Sequence, residues 1–292
     1  MPEFGRLITA MVTPMNADLS VDYARAADLA RRLVETGSDG IVVSGTTGES
    51  PTLSSAEKLK LFETVLDAVG DRAAVIGGTG SYSTADTIEM TRKAAATGIH
   101  GILLVTPYYN KPPQEGLYQH FRAVAESTDL PCILYNVSSR TSINMLPQTT
   151  IRLAEIPNIV GIKECGDLAQ LTEILNGAPE HFRVWSGDDA ATLPYLSLGA
   201  YGIISVAAHV VGPQMKEMIQ ALLDGQVPQA AAWHRRLYPV FKGLFAVTNP
   251  VLVKAALTMT GFAAGPVRPP LVDATAKEQE ALREVLAAAD LL

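Results

Sequence analysis

The sequence predicts an α/β protein, a (β/α)₈ TIM barrel with a C-terminal helical appendage. Short apolar runs recur at near-regular spacing, and amphipathic helical stretches lie between them. The runs are apolar on both faces, which is typical of parallel strands covered by helices. Eight such units match a closed barrel, whereas a doubly wound open sheet is the structural alternative.

The eight predicted strands are short and rich in β-branched residues. They cover residues 7–14, 40–45, 73–80, 101–107, 132–137, 159–165, 182–189 and 201–208. The helical patterns between them include residues 21–37 and 55–70, which end at Gly37 and Gly70. Helices commonly stop at glycine, so these ends support the alternation of strand and helix.

From about residue 211 onward the pattern is helical only. A helix over residues 213–225 would close the barrel, and three further helices would form the appendage. We therefore predict a catalytic barrel over residues 1–225 and a C-terminal helical region over residues 226–292.

Composition and charge exclude several classes of partner. The chain has 292 residues, a net charge of -7 and a pI near 5.3, so no basic stripe is available to bind a phosphate backbone. No signal-peptide pattern is present, and no apolar run approaches the ~20 residues that span a bilayer. We expect a cytoplasmic protein that binds neither nucleic acid nor membrane.

In a barrel of this kind the functional groups lie at the carboxyl ends of the strands. Strand 2 is followed by "SGTTGES" (44–50), strand 4 by "TPYYNKP" (106–112) and strand 7 by "SGDD" (186–189). Strand 5 leads into "YNVSSRT" (135–141), and strand 6 carries Lys163. These segments supply the candidate site residues.

Lys163 is the most informative of these residues because a buried ammonium is costly unless it is paired or neutral. Strand alternation places Gly161 and Lys163 on one face of the strand, and the glycine leaves room below the lysine. Desolvation would lower the pKa of the amine and let it attack a carbonyl to form a Schiff base. The alternative is a structural lysine paired with Asp188.

Hydroxyl and basic side chains at neighbouring strand ends fit Schiff-base chemistry. Tyr135 alternates inward on strand 5, where its phenol could deliver the proton that imine formation needs. Thr46, Thr47 and Tyr109 add hydroxyls, and the glycines around the threonine pair suggest backbone N–H groups that bind a small carboxylate. Arg140 is a bidentate donor suited to a second carboxylate. Together they describe a keto acid held as an imine and a second acidic substrate.

Five motifs in the same order, "GTTGES", "YYNKP", "YNVSSRT", "GIKE" and "SGDD", resemble the pyruvate-dependent class I aldolases of the dihydrodipicolinate synthase and N-acetylneuraminate lyase family. The resemblance covers nearly the whole chain. The paired threonines and the arginine of "YNVSSRT" resemble the branch that condenses pyruvate with L-aspartate-4-semialdehyde, the first committed step of lysine and diaminopimelate biosynthesis.

The resemblance implies a role for each catalytic candidate. Lys163 would form an imine with pyruvate, and the derived enamine would attack the aldehyde. Tyr135, Thr46 and Tyr109 would form a proton relay, with Tyr109 reaching across a subunit interface. No metal or other cofactor would be needed.

The resemblance also implies the binding residues and the assembly. Thr47 and the backbone around Gly187 and Ile204 would hold pyruvate, and Arg140 would hold the carboxylate of the semialdehyde. The family is typically a homotetramer built from two tight dimers.

This chain departs from the family pattern at several positions. Ser138 and Leu252 stand where the family commonly has proline. Relatives that lysine inhibits carry histidine, histidine, asparagine and glutamate around an interface site next to Tyr108. The corresponding residues here are Ser55, Lys58, Tyr82 and Asp86, which predicts weak inhibition by lysine or none.

Three other functions remain open from the sequence. The nearest is a family member that acts on 2-keto-3-deoxy sugar acids or 4-hydroxy-2-oxoglutarate. A metal-dependent barrel enzyme would use Asp188 and Asp189 with Glu164 or His209 as ligands. The third is a non-catalytic barrel that binds a sugar or an amino acid.

Overall fold

Eight parallel strands form a closed barrel surrounded by helices in this computed structural model, which describes residues 4–292. The strands are β1 Leu7–Ala10, β2 Gly40–Val43, β3 Ala74–Gly78, β4 Gly101–Val105, β5 Cys132–Asn136, β6 Ile159–Glu164, β7 Arg183–Ser186 and β8 Gly202–Ser205. β8 pairs in parallel with β1 and closes the ring. The barrel prediction is therefore confirmed, and the open-sheet alternative is wrong.

The helices of the described residues follow the strands in order. They are α1 Tyr23–Glu35, α2 Ser55–Val69, α3 Thr84–Ala95, α4 Gln114–Ala125, α5 Ser138–Thr141, α6 Pro147–Ala154, α7 Leu168–Gly177, α8 Thr192–Ser197, α9 Ala208–Leu223, α10 Val227–Gly243, α11 Val251–Met259 and α12 Ala276–Ala288. Single 3₁₀ turns cover Ser50–Thr52 and Asp189–Ala191. No helix in this part of the chain is both long and apolar enough to cross a membrane.

Local signals account for the clearest helix boundaries. α2 begins with a capping box, in which the Ser54 side chain accepts from the Glu57 N–H and the Glu57 carboxylate accepts from the Ser54 N–H. α1 ends at Glu35, and Gly37 then takes a left-handed φ of 108°, which glycine adopts without a steric penalty.

The predicted strands extend too far at their carboxyl ends. β1 stops at Ala10 rather than at residue 14, and β7 stops at Ser186 rather than at residue 189. Met11 and Val12 are buried like strand residues, but the Val12 N–H donates to Nε2 of His209 instead of to a strand. Hydropathy reports burial and not hydrogen bonding, so it cannot mark where a ladder ends.

Alternation along the strands divides the apolar side chains into two layers. Inward-facing residues such as Ile8, Ile133 and Trp185 fill the barrel, and their outward neighbours such as Ile162 pack against the helices. α9 packs against β1, and α10 packs against both α9 and α12. The core between barrel and helices continues into α10, α11 and α12. The predicted division at residue 225 stays a prediction.

Candidate active site

A cavity of about 430 Å³ opens at the carboxyl ends of the strands. Six of the eight predicted site residues line it, namely Thr46, Thr47, Tyr135, Arg140, Lys163 and Gly187. They come from four different strand ends and meet only because the barrel closes. The geometry therefore gathers residues that are more than one hundred positions apart in the sequence.

Lys163 lies at the floor of this cavity and is 5% exposed. Its neighbours in register are Tyr135 on β5 and Trp185 on β7. The room left by Gly161 is filled by the Trp185 ring, since a Cβ at that glycine would come 2.6 Å from the indole. The lysine thus stands above a packed aromatic layer and not above an empty space.

The Lys163 amine has no ion-pair partner among residues 4–292, so the alternative of a structural salt bridge with Asp188 is not formed there. Burial lowers the pKa of Lys163, and nearby Cys165 and Asp189 oppose this shift in part. A lowered pKa increases the neutral, nucleophilic fraction of the amine at a given pH.

Tyr135 lies beside the lysine, with Nζ of Lys163 4.5 Å from the centre of its ring. Burial raises the pKa of Tyr135, which keeps the phenol protonated, while the charge of Arg140 and a hydrogen bond with Thr46 act in the opposite direction. A protonated phenol that lines the same cavity as the Thr46 hydroxyl is placed to pass a proton.

Gly187 allows the chain to pass close to the lysine. A Cβ at this position would lie 3.1 Å from Cε of Lys163 and 2.2 Å from Sγ of Cys165. Any larger residue would therefore displace the lysine side chain or close the cavity.

Arg140 lies in the short helix α5 and lines the cavity. Its Nη2 lies 3.5 Å from the backbone oxygen of Asn249, at the limit of a hydrogen bond, and no carboxylate pairs with it within residues 4–292. The α5 turn forms with Ser138 in its first position, so the family's usual proline is not required for it. The guanidinium is free to bind an anionic ligand.

Two predicted site residues lie away from the cavity. Tyr109 is 90% exposed and has a left-handed φ of 72°. Ile204 is buried in β8 opposite Ile8, and Val206 rather than Ile204 lines the cavity. A single chain does not bring either side chain to Lys163.

Sequence reasoning missed the contribution of the C-terminal region. Asn249 donates through Nδ2 to Oγ1 of Thr47 at 2.8 Å, while its Oδ1 is buried without a partner. Phe241, Lys242 and Phe245 also line the cavity. The only sequence signal was the segment "NPVLVK", and the appendage prediction gave it no role at the site.

A second cavity of about 210 Å³ lies on the other side of Tyr135. Thr46, Tyr135, Val137 and Arg140 line both cavities, and Tyr108 lines only this one. The tyrosine and threonine therefore form the wall between the two spaces.

The residues considered for a metal site do not converge. Asn136 Nδ2 donates to Glu164 at 3.0 Å on the outer face of the barrel, and Asp189 accepts from the Ala207 N–H at 3.0 Å. Nε2 of His209 accepts from the Val12 N–H. Within residues 4–292 no three His, Cys, Asp or Glu side chains could together hold a metal ion. The ligand set of the metal-dependent alternative is therefore not assembled.

Comparison with known proteins places this geometry in a family. A model of the dihydrodipicolinate synthetase family matches residues 3–289. The chain is 72% identical to the 4-hydroxy-tetrahydrodipicolinate synthase of Symbiobacterium thermophilum over all of both chains. It is 58% identical to the same-named protein of Heliobacterium modesticaldum, over 97% of this chain and 95% of the relative.

A solved structure agrees with the sequence relatives. The crystal structure of the synthase from Cyanidioschyzon merolae with lysine bound matches with a TM-score of 0.97 and 48% identity, over 99% of each chain. Sequence and fold thus agree over the full barrel and its C-terminal helices. The chain belongs to the dihydrodipicolinate synthetase family.

Proposed function

We propose that the chain condenses pyruvate with L-aspartate-4-semialdehyde to give 4-hydroxy-tetrahydrodipicolinate, the first committed step of lysine and diaminopimelate biosynthesis. The observation that carries the proposal is a buried Lys163, without an ion pair among residues 4–292, beside Tyr135 in a cavity with Arg140 at its rim. The names of the full-length relatives support the same reaction.

The first half of the reaction forms a covalent intermediate on Lys163. The neutral amine attacks C2 of pyruvate, and the carbinolamine loses water when Tyr135 donates a proton to the leaving hydroxyl. Thr46 then passes a proton to Tyr135 and is itself reprotonated through Tyr109 of a neighbouring subunit. Thr47 and the backbone at Gly187 bind the pyruvate carboxylate.

The second half joins the two substrates. Loss of a C3 proton converts the imine to an enamine, whose carbon attacks the aldehyde carbon of the semialdehyde. The amino group of the semialdehyde then attacks C2, which closes the ring and releases the Lys163 amine. The imine itself activates C3, so the proposed chemistry uses no metal or other cofactor.

A substrate comparison tests this function directly. Turnover of pyruvate with L-aspartate-4-semialdehyde should exceed cleavage of 2-keto-3-deoxy sugar acids and of 4-hydroxy-2-oxoglutarate. Higher activity with either of the latter would assign the chain to another branch of the family.

Arg140→Ala is expected to act mainly on the second substrate. Loss of a charge-assisted bidentate contact of about 1.5–3 kcal/mol should raise the KM for the semialdehyde roughly 10- to 150-fold. Steady-state kinetics would measure this change, and borohydride labelling by pyruvate should stay intact. Weaker pyruvate binding with an unchanged KM for the semialdehyde would reverse the assignment of the two carboxylate sites.

Lysine is expected to inhibit weakly or not at all. Tyr82 packs edge-on against Tyr108 with 5.3 Å between ring centres, which occupies space at the interface site. Lys58 adds an ammonium where a cationic ligand would bind, and Asp86 reaches less far than glutamate. A lysine titration of the initial rate at saturating pyruvate measures the effect, and cooperative inhibition at submillimolar lysine would contradict it.

The proposed assembly is a homotetramer of two tight dimers. The exposed Tyr109 side chain extends from its own subunit, as a residue that completes a neighbour's proton relay would. Sedimentation velocity should give a tetramer of the 31.1 kDa chain. A monomer with full activity would remove Tyr109 from the proposed relay.

A further inference from the structure

The loop that carries Thr46 and Thr47 follows β2 in a conformation that needs support. Ser44 and Glu49 both take left-handed φ values, 56° and 58°, which are unfavourable for residues other than glycine. Glu49 is also buried, at 3% exposure, although it carries a carboxylate. Something outside the loop must stabilise this arrangement.

The support comes from the C-terminal region. Nζ of Lys254 on α11 lies 2.6 Å from Oε1 of Glu49, and it also donates to the backbone oxygen of Pro266 at 2.7 Å. The backbone N–H of Arg268 donates to Oε2 of Glu49 at 2.7 Å. Both carboxylate oxygens of Glu49 are thus held by residues beyond the barrel strands.

Stability alone is a weak explanation for this ion pair. Both side chains are almost fully buried, and desolvation of two charges largely offsets their attraction. The pair is better explained by the conformation of the Thr46–Thr47 loop, which it holds in place.

A short series of contacts connects Lys254 and Glu49 with the reacting groups. The Glu49 N–H donates to the Thr46 backbone oxygen at 3.1 Å. Thr46 and Tyr135 together line both cavities at the strand ends, and Tyr135 stands beside Lys163. A shift of Glu49 would therefore move Thr46 away from the phenol.

We propose that Lys254 is a positioning residue, which acts through its buried ion pair with Glu49 to hold Thr46 against Tyr135 and so supports proton transfer on the pyruvate side of the reaction. The proposal rests on the function proposed above. It makes the C-terminal helical region part of the catalytic apparatus.

The test compares Lys254→Met, Glu49→Gln and the double variant with the wild type. Exchange of the pyruvate C3 protons in D₂O, followed by NMR without aldehyde, reports imine and enamine formation alone. Each single variant should slow this exchange and lower kcat about 10- to 100-fold, because small misplacements of catalytic groups cost that much. The KM for the semialdehyde should change little.

The double variant separates positioning from stability. Replacing both charges removes the uncompensated buried charge that either single change leaves, so Tm should recover toward the wild-type value. Exchange and kcat should stay low, because methionine and glutamine form no ion pair to hold the loop. Lys216→Met removes the exposed Lys216–Asp39 pair, which lies outside the cavity, and should leave exchange unchanged.

Recovery of exchange together with Tm in the double variant would overturn the positioning role. Wild-type exchange in Lys254→Met would do the same. Absence of exchange in the wild-type protein would instead overturn the proposed function, and the positioning role with it.

Discussion

Replacing Lys163 with alanine is expected to abolish turnover and pyruvate labelling. The substitution removes the Lys163 amine, the group proposed to bind pyruvate covalently. It should therefore cost more than the roughly 10²–10⁴-fold typical of losing one acid–base group. Steady-state assays of the condensation, with circular dichroism to confirm folding, measure this loss. The barrel should remain folded, because Lys163 has no ion-pair partner in the part of the chain that the structure describes, and its removal leaves no carboxylate there unpaired.

Lys242→Ala is the matched control for this prediction. Lys242 lines the same cavity but is exposed, whereas Lys163 is buried. The control should keep pyruvate labelling. A Lys163→Ala protein that still turns over at a substantial fraction of the wild-type rate would remove Lys163 from the mechanism.

Tyr135→Phe is expected to lower kcat by about 10² to 10⁴-fold without unfolding the barrel. The change removes the phenolic hydroxyl but keeps the ring that packs beside Lys163. Imine formation should slow because the phenol no longer supplies the proton that the leaving hydroxyl needs. Rapid-quench borohydride trapping measures the rate of adduct formation, and thermal unfolding checks stability.

The corresponding control is Tyr201→Phe. Tyr201 lies at the opposite end of the barrel, edge-on to Trp185 and beneath the Arg6 guanidinium. Its loss should leave the adduct rate unchanged. An unchanged adduct rate in Tyr135→Phe would mean that water or Thr46 alone supplies the proton.

Residues whose positions depend on strand alternation could be predicted from the sequence. Lys163 and Tyr135 face inward because the period of a strand is two residues, and they are neighbours because consecutive strands pair in parallel. Arg140 lies in the segment that follows the end of β5, so its place near the carboxyl end of the barrel could also be predicted. These placements need only local pattern and the barrel topology.

Residues that reach the site through tertiary packing could not be predicted in this way. Asn249 contacts Thr47 across 202 positions of sequence, and Lys254 contacts Glu49 across 205. The hydrophobic periodicity of a helix or a strand carries no information about contacts between residues so far apart in the sequence. Trp185 likewise fills the space above Gly161 because two strands are in register, which the single-strand pattern did not show.

Trapping of the pyruvate adduct directly tests whether Lys163 forms a Schiff base with pyruvate. The wild-type protein is incubated with pyruvate and sodium borohydride, digested and analysed by peptide mass spectrometry. We expect one reduced pyruvyl group per chain, located on Lys163 and absent from Lys163→Ala. Labelling of another residue, or no labelling of a protein that is active in the condensation, would contradict it.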